Sequence, residues 1–207
     1  MLLPSDITFR HLRFDPDHLA GWRAMLSGEE EERVRGFRQE KRIREFILGR
    51  AAARLLLSER LGIRPGLVPL EVAESGAVVV AERPVSVSIA HSGDHAVAAA
   101  ATRGVGVDIE SIAPRHASLH RYLLHPDEHD LLDSIPLDAD RAQILVWTLK
   151  EATLKAMGTG LRFSPKKLRL HVDFSAERAV VEVEGGGQWS ACFEQWDEYY
   201  VALAFAE

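Results

Sequence analysis

Trp147-Thr148-Leu149-Lys150-Glu151-Ala152-Thr153-Leu154-Lys155-Ala156-Met157-Gly158-Thr159-Gly160-Leu161 decides the reading of this chain. The run predicts a helix that stops at Gly158 and Gly160. At 3.6 residues per turn Trp147, Glu151 and Lys155 fall one above another, so an aromatic, a carboxylate and an amine share one stripe. Upstream, Gly104-Val105-Gly106-Val107-Asp108-Ile109-Glu110 alternates apolar with small or acidic residues. That period predicts a strand carrying Gly106, Asp108 and Glu110 on one face. Asp108 and Glu110 also fit the wet face of a half-buried strand, and Glu151 with Lys155 fits an exposed helical ion pair worth tenths of a kcal/mol. Taken together, two same-face acids beside a glycine and a Trp-Glu-Lys stripe point to a site. Three carboxylates from two elements suit a hard cation, Mg²⁺ or Mn²⁺, because zinc prefers His and Cys. A magnesium site with few protein ligands leaves room for phosphate oxygens.

The rest of the sequence sets the frame. The 207 residues, 46% hydrophobic and 27% charged, suffice for a buried core in one domain or two joined halves. A net charge of −6 argues against nucleic acid as a partner. No stretch is apolar enough to span a membrane, and Met1 to Asp6 lacks a basic-then-apolar export signal, so a cytoplasmic protein is expected. The lone Cys192 excludes an intrachain disulfide and argues against a thiolate zinc site.

Between Arg33 and Arg64 ten Arg or Lys stand against three Glu, a local excess of seven in an acidic protein. Singly these residues read as a solvated helix face; as a group they favour phosphate. Strands are expected around 7–13, 78–80, 85–89, 95–101 and the Asp108 segment, with helices over 16–62 broken near Ser27-Gly28. A second series follows, with helices over 115–134 and 139–157 and strands near 168–174, 178–184, 188–195 and 199–206. Each half thus runs strand, helices, antiparallel strands, which suggests a pseudo-duplicated α+β chain with halves 1–103 and 104–207 and a cleft between them. His91, at the end of a strand and followed by Ser92-Gly93, is a candidate phosphate contact. The pairs His116/His120 and His125/His129 have helical metal spacing but no third ligand, and read as surface. Trp22, Trp189 and Trp196 read as packing.

These residues resemble the signature of the 4′-phosphopantetheinyl transferases. Gly106-Val107-Asp108-Ile109-Glu110, the Trp147 to Lys155 run and Gly158-Thr159-Gly160-Leu161 carry the resemblance. Length, the His91-Ser92-Gly93 segment and the basic Phe37 to Arg50 helix resemble the Sfp-type monomers rather than the short trimeric synthases. The likeness is strong from Ser88 to Leu161 and weak at both ends. It implies a two-half α+β transferase fold that binds coenzyme A and Mg²⁺ between the halves. The implied reaction, of the holo-[acyl-carrier-protein] synthase type, moves phosphopantetheine onto a serine of an apo acyl or peptidyl carrier protein and leaves adenosine 3′,5′-bisphosphate. Carried over by position, Asp108, Glu110 and Glu151 would hold Mg²⁺, Glu151 would also act as general base, and Lys155 would stabilise the departing phosphate. His91 would contact the coenzyme A phosphates, and Lys41 and Arg44, with Arg50 after them, would be the candidates for the 3′-phosphate. The chain departs from the pattern at Gly76-Ala77-Val78, where a Gly-Lys-Pro lysine is usual, and at Ala90, where a serine is frequent; Arg83 is a candidate compensation. A phosphate-ester hydrolase using the same acids, or a non-catalytic coenzyme-A-binding module, are the competing expectations.

Overall fold

The computed structural model describes residues 1–115, 119–128, 130–159 and 162–207, and of His120 the backbone alone. His116, His129, Gly160 and Leu161, all singled out in the sequence, lie outside the described residues. The chain is α+β. Its first half runs β1 (Thr8–Arg13), α1 (Leu19–Arg23), α2 (Gly28–Arg35), α3 (Glu40–Leu61), β2 (Leu70–Val72), β3 (Val78–Val80), β4 (Ser86–Ser92) and β5 (His95–Ala101). The second runs β6 (Val105–Ser111), α4 (Leu119–Leu123), α5 (Leu131–Ser134), α6 (Ala139–Ala156), β7 (Leu168–Asp173), β8 (Arg178–Val183), β9 (Gln188–Trp196) and β10 (Tyr199–Ala206).

Local chemistry explains the helix ends. Ser27 caps α2 through a reciprocal box with Glu30, satisfying two orphan donors. Gly62 ends α3 in the left-handed region at φ 68°, which glycine adopts without a Cβ penalty. Asp138 caps α6 by accepting from the Arg141 amide.

All strand pairs in the three sheets are antiparallel. One sheet has the order β1-β5-β4, a second β6-β10-β9-β8-β7, and β2 pairs with β3. The coarse repeat expected from the sequence is therefore present but unequal, since the second half builds five strands where the first builds three and a separate hairpin. Helix α3 covers one face of the first sheet through Ile47, Ala51 and Leu57, and α6 covers the second through Leu145, Leu149 and Ala152. A third cluster, including Val97, Ala99, Val107, Ile109, Val201 and Leu203, fills the space between the two sheets.

The edge strands β4 and β6 meet at the seam. Ser88 Oγ accepts from the Val107 amide at 3.0 Å and Ser86 Oγ from the Val105 amide at 3.3 Å. Two hydroxyls thus satisfy edge donors that no strand pairs.

Candidate active site

The face assignment from the alternating strand is observed, with one difference. Val105, Val107 and Ile109 point into the central cluster, while Gly106, Asp108 and Glu110 point towards α6. Both faces of β6 are covered, so Asp108 is only 5% exposed and is not a solvated surface acid.

Gly106 makes this possible. A Cβ there would lie 2.0 Å from the Ala152 carbonyl oxygen and 2.3 Å from the Ala156 amide nitrogen. The missing side chain lets α6 rest directly on β6, which brings Glu151 and Lys155 beside Asp108 and Glu110. Lys155 Nζ donates to Asp108 Oδ1 at 2.7 Å. Trp147 Nε1 donates to Glu110 Oε1 at 3.1 Å, and Arg115 Nη2 donates to Glu110 Oε2 at 2.8 Å. Trp147 is therefore a polar partner of the acids as well as a packing residue.

Two carboxylate oxygens are left over. Asp108 Oδ2 and Glu151 Oε1 are buried and have no hydrogen-bond partner. An unpaired buried carboxylate oxygen is costly, and the groups respond electrostatically. Burial, reinforced by the charges of Asp108 and Glu110 and opposed by Lys155, pushes Glu151 up to about 7. Burial and Asp108 likewise raise Glu110, against the Trp147 hydrogen bond and Arg115. The three acids thus sense one another through a poorly solvated space.

They do not form a closed cage. Among the described residues no three His, Cys, Asp or Glu side chains are grouped closely enough to enclose a metal ion. The physical reason is visible in the pairing: Lys155 neutralises Asp108, while Trp147 and Arg115 hold Glu110. Yet the donor set fits a hard cation, since two orphaned buried oxygens sit on acids that repel each other.

A cleft of about 240 Å³ opens beside Lys155, lined by Gly158, by Ser88 and Ile89 of β4, and by Ser75, Gly76 and Ala77. An adjoining hollow shares Gly76, Val78 and Ile89 with it and adds Arg33, Phe46, Arg50 and His91. Gly49 lets α3 approach this wall, its missing Cβ falling 3.0 Å from Ile89 Cγ2. His91 Nδ1 is 3.8 Å from Glu45 Oε2. Burial first, with Lys155 and Arg42 adding to it, lowers the His91 pKa against Glu45 and Asp108.

Arg50 is 6% exposed; its Nε lies 3.2 Å from Glu30 Oε1, and its Nη1 is buried without a partner. Arg33 and Arg50 both stand over the Phe46 ring, their guanidinium carbons 5.5 and 5.1 Å from its centroid. Arg33 was legible in the sequence only as one charge of the basic run.

Lys41 and Arg44 lie apart from Arg50 and His91. They line a separate hollow with Phe14, Gly93 and Asp94, and Glu45 stands at both hollows. Lys41 pairs with Glu45 at 3.7 Å and Arg44 stacks on Phe14 at 5.0 Å. Helical spacing puts 41, 44, 45 and 48 on one stripe and 46, 49 and 50 on another, and the two sets line different hollows. Part of the basic run is structural: Arg54 is buried on Glu30 at 2.7 Å and on two carbonyls, and Arg60 donates to the Asp6 carbonyl.

Comparison with known proteins covers both halves of the chain. A model of the 4′-phosphopantetheinyl transferase superfamily matches residues 104–204, and one of the 4′-phosphopantetheinyl transferase N-terminal domain matches 29–101. The chain belongs to the 4′-phosphopantetheinyl transferase family. It is of the Sfp type, with similarity to HetI, Sfp and related transferases. The 4′-phosphopantetheinyl transferase HetI of Nostoc sp. is 34% identical over 147 residues, which cover 67% of this chain and 62% of HetI. The chain thus spans less than two thirds of HetI's length. A phosphopantetheinyl transferase of Thraustochytrium sp. is 29% identical over 204 residues, 87% of this chain and 70% of that one. Among solved structures, Thermotoga maritima holo-[acyl-carrier-protein] synthase is similar at 22% identity and a TM-score of 0.42, over 50% of this chain and 62% of that one.

Arg83 and Ala77 bear on the departures from the transferase pattern. Ala77 lines the cleft and offers no charge there. Arg83 lines neither hollow beside α3. No helix of the described residues is long and apolar enough to cross a membrane.

Proposed function

We propose that the chain is a Mg²⁺-dependent phosphopantetheinyl transferase that moves the 4′-phosphopantetheine of coenzyme A to a serine of an apo acyl or peptidyl carrier protein. Family membership supports the reaction class, and the paired orphan oxygens of Asp108 and Glu151 carry the site. The halves 1–103 and 104–207 are read as the two walls of the active cleft in a cytoplasmic monomer.

Asp108, Glu110 and Glu151 would hold the ion, Mg²⁺ or Mn²⁺, which when bound neutralises charge on the pyrophosphate oxygens. Glu151, poised near 7, accepts the proton of the incoming serine hydroxyl, directly or through a water. The serine oxygen bonds to the phosphorus that carries the pantetheine arm. The bond from that phosphorus to the adenosine 3′,5′-bisphosphate oxygen breaks. Lys155, released from Asp108, stabilises the departing phosphate. His91 and Arg50, with Arg33 beside them, contact the coenzyme A phosphates, Arg50 through its unpaired Nη1. Lys41 and Arg44 offer positive charge one hollow away.

Intact-mass measurement of an apo carrier protein mixed with the enzyme, coenzyme A and Mg²⁺ tests the proposal. One phosphopantetheine added per carrier is expected. Phosphate release with no carrier labelling would indicate a hydrolase instead, and ligand binding without turnover a binding module.

A further inference from the structure

On β1 and β5, the register sets Arg13 opposite His95 and His11 opposite Val97, which makes His11 and His95 diagonal neighbours on one face. His11 Nε2 and His95 Nδ1 are 2.9 Å apart. The ring planes differ by 6° while the centroids are 5.1 Å apart, so the rings meet edge to edge with nitrogens facing. One nitrogen must accept from the other, and at least one ring is therefore neutral. Burial, the neighbouring imidazole and Arg13 lower His11; burial and Arg13 lower His95. Among the described residues each imidazole hydrogen-bonds only the other, with His11 against Trp196 and His95 against Tyr199, and two such nitrogens are a ligand pair.

We propose that His11 and His95 form a two-imidazole binding site for a divalent transition ion such as Zn²⁺ or Ni²⁺. Zinc-to-imidazole bonds of about 2.0–2.1 Å at a tetrahedral angle separate two ligating nitrogens by roughly 3.3 Å. The pair needs to open by a few tenths of an ångström while the rings swing to aim at one point. His11 is exposed and can move outward. Arg13 opposes a cation there, and Asp94 and Asp197, whose charges act on His95, offset it. Water would complete the coordination, as among the described residues no third protein ligand groups with the pair. Imidazole donors select Zn²⁺, Ni²⁺ or Cu²⁺ over Mg²⁺, so this site and the carboxylate site take different metals. A bound ion would tie β1 to β5, on the hairpin whose other strand ends at His91 and Ser92.

Calorimetric titration of the full chain, without a histidine tag and in excess Mg²⁺, with Ni²⁺ and then Zn²⁺ tests this site independently of any transferase activity. H11Q, at an exposed position, is expected to weaken the tightest Ni²⁺ site by at least about tenfold, or 1.4 kcal/mol. D108N should leave that site unchanged. A smaller change in H11Q, with its circular dichroism as in the wild type, or a loss of the site in D108N, overturns the proposal.

Discussion

Lys155 Nζ sits 2.7 Å from Asp108 Oδ1, on the strand across which Gly106 admits the helix that bears it. The ammonium occupies one oxygen of Asp108 and leaves the other buried and unpaired. This single contact sets what the site can do: it stores a cation next to an acid that still needs one.

Glu151 makes the first prediction. Its pKa is raised to about 7 in the folded protein, above its ordinary carboxyl value of 4.5. A raised pKa contributes stability that is fully present below pH 4.5 and is lost as pH rises through about 7. Without divalent ions, E151Q should therefore melt above the wild type at pH 8, by about 2–4 °C for each kcal/mol relieved, and the gap should close towards pH 5. Differential scanning calorimetry across that range checks it; equal melting curves at pH 8 would contradict the assignment.

Gly106 makes the second. G106A must displace backbone atoms at 2.0 and 2.3 Å, so a loss of about 3 kcal/mol or more of stability is expected together with loss of activity. G21A is the contrast: nothing lies within 4 Å of a Cβ in α1, and a gain of up to about 1 kcal/mol from helix propensity is expected. Urea unfolding of both variants reads the difference.

The third concerns phosphate recognition. R33A should raise KM for coenzyme A about tenfold, near 1.4 kcal/mol, with kcat little changed, because Arg33 lines the hollow of Arg50 and His91. K41A and R44A should do less, since they line the neighbouring hollow. Steady-state kinetics at saturating carrier protein rank the three; a larger effect of K41A would put the main coenzyme A contact in the neighbouring hollow and contradict this ranking.

Lys150 makes the fourth. It is completely buried on the far side of α6, where Nζ donates to Glu128 Oε2 at 2.5 Å and to the Leu123 and Leu168 carbonyls at 2.9 and 2.8 Å. Burial lowers its pKa against the pull of Glu128. K150M alone should cost about 3–5 kcal/mol by leaving Glu128 unpaired, and K150M with E128L should recover much of it. Chemical denaturation of single and double variants measures the coupling.

Much of this was legible in the sequence because it rests on period. Alternation at 105–110 and the 147, 151, 155 stripe pick out Asp108, Glu110, Trp147, Glu151 and Lys155, and His95–Ala101 and Ala139–Ala156 appear almost at the expected bounds. What escaped depends on neighbours in space. Ser86 and Ser88 read as ordinary strand residues until β4 and β6 lie side by side. Lys150 precedes Glu151 of the stripe by one step, and that one residue of helical rotation sends it into the core. The strand Leu70–Val72 is three residues long, too short for its alternation to decide, and is defined by pairing with Val78–Val80. His11 and His95 are 84 residues apart, a separation that no local pattern bridges.

One divalent ion is expected to bind among Asp108, Glu110 and Glu151. Titration of Mn²⁺ followed by electron paramagnetic resonance, with Ni²⁺-binding histidines left intact, reads it directly. The wild type should show one site that Mg²⁺ competes for and that D108N and E151Q each weaken by at least about tenfold. Undiminished Mn²⁺ binding in both variants would contradict it.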